Sequence, residues 1–296
     1  MLYNIVVMII SGLIVLVPGT AAVGAVEDWM LVRSEDFSSK QQLSNLETFG
    51  DKGWLTARIR NEGKITIKDG FAHFETHDFQ DSALIRITES LPENYKIRVK
   101  LGKVHFNLSN YEDVDYNAAD FKYNRRWVEN GFYWLTVTDR LVEDSSGEDW
   151  WHRYRKIVID SDDHSGERLP LYMVYMNPDL DRSTGNWISG QGELLRTWSG
   201  DMWHTRLDNW EVAHRFSEEA WYTVELEKTG SHLVMRLFSS EGVALVETSP
   251  VSLNLIYGMG KNASEAEYAY IGEPHVDSYE GDAYVDKIEL YYPARP

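Results

Sequence analysis

The chain of 296 residues contains no cysteine, which excludes a disulfide scaffold and any thiolate metal site. Cations are scarce: 29 Lys and Arg face 47 Asp and Glu, a formal net charge of −18. Lys and Arg supply the counterion-release term in binding to a phosphate backbone, so nucleic acid is excluded as a partner. Proline is sparse, at 8 residues, and there is no Pro/Ser-rich tract, like-charge block or fixed-period repeat, so no linker divides the chain. A sustained 3.6-residue period is missing, which argues against a helical protein. His-Glu-x-x-His is also missing. His73 and His77 are four apart but sit in Phe71-Ala72-His73-Phe74-Glu75-Thr76-His77, which reads as a strand, where that spacing does not converge on a zinc ion. No organic cofactor is expected.

The first 26 residues carry no charged side chain, and Ile5 to Val17 is an apolar run broken by Pro18-Gly19. Val23-Gly24-Ala25 offers a signal-peptidase site just before Glu27-Asp28. Residues 1–25 therefore read as a signal peptide, with an uncleaved anchor as the alternative. Residues 26–296 read as one mature domain, secreted or periplasmic, that meets a membrane only through an uncleaved leader.

Beyond the leader, short runs of apolar/polar alternation are separated by turn signals. Gly63 to Lys68 alternates and reaches Asp69-Gly70, a hairpin turn into Phe71 to Glu75. In Tyr95-Lys96-Ile97-Arg98-Val99-Lys100-Leu101 the odd positions are apolar and the even ones cationic, so one face meets a core and the other meets water. Further strands are expected at Ala83–Thr88, Phe132–Thr138, Lys156–Asp160, Leu171–Met176, Trp221–Glu227, Leu233–Phe238, Ala269–Gly272 and Ala283–Tyr292. The expected fold class is all-β, a two-sheet antiparallel β-sandwich. Two stretches, Phe106 to Asn130 and Asn177 to Phe216, lose the pattern and read as long functional loops on one face.

Ala220-Trp221-Tyr222-Thr223-Val224-Glu225-Leu226-Glu227-Lys228-Thr229-Gly230, followed by Leu233 to Phe238 and Glu241-Gly242, resembles a hairpin of the concanavalin A-like lectin/glucanase superfamily. Ile271-Gly272-Glu273-Pro274 and Gly281 to Tyr291 are similar to its closing strand, and Glu35-Asp36-Phe37 with Trp54 fit its opening. The resemblance implies a jelly roll and a carbohydrate partner, with lectins, binding modules, hydrolases and lyases all open. It also implies a structural Ca2+ joining the chain ends, with Asp36 and Asp286 at the matching positions. The Glu-x-Asp-x-Glu strand of laminarinase-type enzymes is absent, since Glu225-Leu226-Glu227 lacks the middle carboxylate.

The aromatic load is heavy, with 11 Trp, 17 Tyr and 10 Phe, which leaves flat rings available for a ligand. On Phe132–Thr138, alternation sends Trp134 and Thr136 to one face, a ring and a hydroxyl suited to a pyranose. Trp150-Trp151-His152-Arg153-Tyr154-Arg155-Lys156 gathers two indoles, an imidazole, a phenol and three cations. His152, Tyr154 and Arg155 are the residue types a polysaccharide lyase needs, a base beside a uronate and a cation for the developing enolate. The same run also reads as a strand edge whose cations answer Glu148, Asp149 and Asp160. Trp187, Glu193 and Arg196 read as part of a loop roofing the groove, with Glu193 as an acid if the chemistry is hydrolysis. Trp151 and Tyr172 complete the expected ligand contacts. The partner these residues point to is an extracellular polysaccharide or oligosaccharide, bound only or also cleaved, with a surface structural module as the alternative that explains only the fold and the leader.

Overall fold

The structure is a computed structural model that describes residues 28–39, 41–76, 81–106, 132–138, 172–180, 187–197, 211–230, 232–248, 250–252, 268–273 and 281–294. In chain order the strands are β1 (Trp29–Glu35), β2 (Gln41–Gln42), β3 (Thr48–Phe49), β4 (Leu55–Arg60), β5 (Lys64–Lys68), β6 (Phe71–Thr76), β7 (Ser82–Ile87), β8 (Tyr95–Phe106) and β9 (Phe132–Thr138). They continue as β10 (Tyr172–Leu180), β11 (Trp187–Thr197), β12 (Glu211–Ser217), β13 (Trp221–Thr229), β14 (His232–Ser239), β15 (Ala244–Glu247), β16 (Val251–Ser252), β17 (Tyr268–Glu273) and β18 (Gly281–Pro293). One 3-10 turn at Asp51–Gly53 is the sole helical element among the described residues.

These strands make two antiparallel sheets, so the chain is the all-β sandwich that its alternation implies. The first sheet runs β15-β14-β13-β8-β18-β6-β5-β2, with β1 on β18 and β16 on β14. The second runs β12-β11-β10-β9-β17-β7-β4-β3. The hairpin at Asp69-Gly70 forms as read: both residues have positive φ, 54° and 84°, as a two-residue primed turn requires, and Lys68 pairs with Phe71.

The core lies between the sheets. From the first come Ile65, Ile67, Phe74, Ile97, Val99, Leu101, Val224, Leu226, Met235, Val285 and Ile288; from the second come Leu55, Ala57, Ile85, Ile87, Leu135, Val137, Ala269 and Ile271. The period of two in each strand delivers one such set per sheet, and its burial is what holds the layers together. Strand β8 follows its sequence pattern, with Tyr95, Ile97, Val99 and Leu101 buried and Lys96, Arg98 and Lys100 half-buried on the far side.

The first and last described strands meet through backbone. Strand β1 pairs with β18 from Trp29↔Pro293 to Glu35↔Ile288, and Ala294 N donates to Asp28 O at 2.9 Å.

One expectation is corrected. The stretch Asn177 to Phe216, read as a long loop, contains strands β11 and β12, which extend the second sheet beyond β10. Pattern reading missed them because Gly190, Gly192 and mixed charge at Glu193 and Arg196 interrupt the alternation, while ladder pairing to a neighbouring strand does not need it. The expected strand Lys156–Asp160 and the stretch 107–130 lie outside the described residues.

Candidate functional site

Strand β9 sits in the middle of the second sheet, between β10 and β17. Leu135 and Val137 belong to the core, so Thr136, between them, takes a non-core register position, while the ladders to β10 and β17 both slip at Trp134 and alternation does not carry past that bulge. Register carries that face sideways. Thr136 pairs with Tyr270 on β17, Tyr270 with Arg86 on β7, and Arg86 with Thr56 on β4. In the other direction Thr136 pairs with Met173 on β10, and Met173 with Thr197 on β11. A single row, Thr56-Arg86-Tyr270-Thr136-Met173-Thr197, thus crosses six strands on the non-core face.

This face is also buried at β4, β7 and β17. Thr56, Arg58, Ser82, Leu84, Arg86 and Tyr270 are all enclosed there, and the whole of β7 is buried on both sides. Arg86 is 9% exposed, yet its Nε and Nη1 have no hydrogen-bond partner, nor does the Oγ1 of its cross-strand neighbour Thr56. Among the described residues Arg86 has no carboxylate within ion-pair distance. An enclosed guanidinium without an anion costs several kcal/mol in desolvation, so this arrangement needs a compensating partner.

The outer face of the first sheet is built the opposite way, with its charges answered. Arg236 Nη1 donates to Glu225 and to Glu227 at 2.9 Å each, and its Nε donates to Glu247 at 2.7 Å. These three carboxylates hold the Arg236 proton more tightly than usual against the opposing effect of burial. Arg98 lies between Glu225 at 3.4 Å and Glu289 at 3.7 Å, and Lys96 reaches Glu227 at 3.1 Å. Register dictates this ladder, since Arg236, Glu225, Arg98 and Glu289 are successive cross-strand partners. Glu225 and Glu227 are therefore structural anions clamped by one guanidinium rather than a pair free for acid/base work.

Beside the ladder runs an aromatic row. Trp221 stacks on Phe71 at 5.3 Å, Tyr284 meets Phe71 edge-on at 6.4 Å, and His73 stacks on Tyr284 at 4.2 Å. His73 lies 3.2 Å from Asp282 and 3.7 Å from Glu75. Burial, then Asp282 and Glu75, push the Tyr284 phenol up from its ordinary range.

The expected site residues fall into three groups. Trp134 and Thr136 lie in or beside the six-strand row. Tyr172 is the cross-strand partner of Val137, a core position, while Thr136 takes Met173. Glu193 and Arg196, with Trp187, lie on β11: Trp187 pairs with Leu180, Glu193 with Asn177 and Arg215, Arg196 with Val174 and Glu211. Trp151, His152, Tyr154 and Arg155 lie outside the described residues.

For the metal pair, β18 carries a bulge between Val285 and Lys287, which leaves Asp286 out of the ladder with its carboxylate 2.5 Å from Lys100 Nζ. Asp36 Oδ1 accepts Ser38 N at 3.3 Å in a local turn. Among the described residues no group of three or more His, Asp or Glu is arranged to hold a metal ion. The donor set at Asp286 thus fits a lysine better than a calcium ion.

Residues that sequence reading missed are Thr56, Arg58, Arg86 and Tyr270. One signal was available: Ile85-Arg86-Ile87 sets a cation inside an otherwise apolar strand.

No protein-family model matches the chain, and no curated protein matches it. Its architecture is similar to that of solved structures. β-Agarase A from Zobellia galactanivorans has a TM-score of 0.49 and 11% identity, covering 94% of this chain and 98% of that one. An alginate lyase in complex with dimannuronate has a TM-score of 0.46 and 9% identity, covering 88% and 92%. The CBM2 module of the evolved Dit of Lactobacillus casei BL23 phage J-1 has a TM-score of 0.46 and 9% identity, covering 90% and 98%. At these identities the likeness is one of architecture and assigns no ligand to this chain.

Proposed function

We propose that the protein is a secreted jelly-roll protein that recognises an extracellular polysaccharide on the non-core face of its second sheet. The observation that carries this reading is the row Thr56-Arg86-Tyr270-Thr136-Met173-Thr197, a line of register positions across six strands that includes an enclosed guanidinium whose Nε and Nη1 have no hydrogen-bond partner. Secretion rests on the uncharged, apolar leader and its Val23-Gly24-Ala25 site. Among the described residues no helix is long and apolar enough to cross a membrane.

The test is a glycan panel against the full chain and Trp134→Ala. Wild type binds at least one polysaccharide, and Trp134→Ala weakens that binding about tenfold, the scale of one lost ring contact. Equal binding by both removes the Trp134 face from the site. Catalysis is read separately. Unsaturated uronate seen by ultraviolet absorbance, lost in His152→Ala with binding retained, gives a lyase; new reducing ends lost in Glu193→Gln give a hydrolase. Binding with neither product makes the protein a binding module. A calcium ion on Asp36 and Asp286 would have to displace Lys100, and a melting temperature that falls with chelator is the result that would establish it.

A further inference from the structure

The enclosed guanidinium on the second sheet needs an anion that the described residues do not supply. We propose that Arg86 and Thr56 form the seat for the carboxylate of an acidic sugar, making the preferred ligand a polyuronate; this rests on the polysaccharide reading above.

Three observations converge. Arg86 is more than nine-tenths buried with two donor nitrogens unpaired, and the unpaired Thr56 hydroxyl is its direct cross-strand neighbour. Paired strand positions hold their Cβ atoms about 5 Å apart, so the two side chains leave the sheet as neighbours on one face. Arg58, two residues along β4 on the same face and 6% exposed, adds a second cation to the neighbourhood. A guanidinium fork matches a planar carboxylate better than a point charge does, and enclosure strengthens each charge-assisted bond. The seat is also placed within an extended row of register positions, in which Tyr270 follows Arg86 directly and Thr136 follows Tyr270. A free inorganic anion would use Arg86 and Thr56 and leave the rest of the row idle.

The experiment titrates the full chain with galacturonate and mannuronate hexasaccharides, their carboxyl-reduced counterparts, a sulfated galactan hexasaccharide and inorganic sulfate, following calorimetry and melting temperature. A uronate hexasaccharide binds wild type about tenfold to a hundredfold more tightly than its carboxyl-reduced counterpart, the scale of a hydrogen bond to a charged group. Arg86→Gln removes that preference, bringing the affinity for the uronate hexasaccharide down to that for its carboxyl-reduced counterpart; Thr56→Val removes part of it. Without ligand, Arg86→Gln melts no lower than wild type, because the charge it removes has no protein partner. A fall of several degrees shows that the protein itself pairs Arg86, and overturns the seat. Equal affinity for acidic and reduced sugars overturns it as well and leaves the polysaccharide reading standing. Sulfated galactan bound in preference to both uronates, and lost in Arg86→Gln, overturns the carboxylate in favour of a sulfate ester. Inorganic sulfate bound through Arg86 while no sugar binds overturns the polysaccharide reading, and the polyuronate with it. No binding of any probe overturns both.

Discussion

Replacing Gly272 by alanine is expected to unsettle the strand that carries Tyr270. Gly272 has φ of +123°, and an added Cβ would stand 2.3 Å from Ala83 O, 2.9 Å from Phe74 Cε1 and 3.1 Å from Leu84 Cα. Two of those three neighbours are backbone atoms of the paired strand β7, where Gly272 faces Leu84, so they cannot give way without opening the ladder. Phe74 is itself fully buried in the core. The backbone conformation alone costs an alanine about 1–2 kcal/mol, and overpacking of a dense interior adds about 1–3 kcal/mol. A total of about 2–5 kcal/mol is a large part of the 5–15 kcal/mol that typical proteins possess, and corresponds to a melting shift of about 10 °C for a domain of this size. Gly70→Ala is the control, because Gly70 has φ of +84° but an added Cβ meets nothing within 4 Å. It bears the conformational cost, about 1 kcal/mol, without the collision. Urea denaturation of both variants, with unchanged m-values, separates the two contributions. Gly272→Ala within 1 kcal/mol of Gly70→Ala would refute the close packing of β17 on β7.

Arg236→Met strands three carboxylates, Glu225, Glu227 and Glu247, of which Glu225 is nearly enclosed. Arg98 and Lys96 remain near Glu225, so the expected loss in urea denaturation is about 2–4 kcal/mol, less than for a wholly isolated buried ion, and a loss below 0.5 kcal/mol would mean the ladder is ornamental. Tyr292 is pushed up to about 12, first by burial and then by Glu89. The folded state therefore keeps a proton that the unfolded chain releases near pH 10, so Tyr292's contribution is intact below pH 10 and is lost as pH rises towards 12. Tyr292→Phe should flatten that alkaline decline, and an identical decline in both proteins would refute it.

Strand β8 was legible because every odd residue from Tyr95 to Leu101 is apolar and every even one cationic, and the hairpin at Asp69-Gly70 because its chemistry admits few other conformations. Strand β9 was legible for the same reason, with Leu135 and Val137 in the core, whereas the bulge at Trp134 was not. Strands β11 and β12 were not legible: their glycines and mixed charges look like loop, and only pairing with β10 makes them sheet. The partners of Thr136 were beyond reach for another reason. Arg86 is 50 positions from Thr136 and Tyr270 is 134, and a register relation between distant strands is not written in any local pattern. The Asp286 expectation came from a resemblance, which could not foresee a bulge that turns its carboxylate to Lys100.

A net charge of −18 would ordinarily count against an acidic ligand, and the distribution of charge over the two sheets answers that objection. On the first sheet Glu225, Glu227, Glu247 and Glu289 each contact a cation from Arg236, Arg98, Lys96 or Lys287, the last holding Glu289 at 2.8 Å. Such pairs project little field beyond their own neighbourhood, and exposed charges elsewhere are screened over about 8 Å at physiological ionic strength. Arg86 is enclosed on the other sheet, where the local dielectric is lower and an approaching anion feels the nearest charge most. Arg33 and Arg98, which also have a nitrogen without a hydrogen bond, each face a glutamate, whereas Arg86 has no such carboxylate among the described residues, and the proposed acidic ligand follows from that difference.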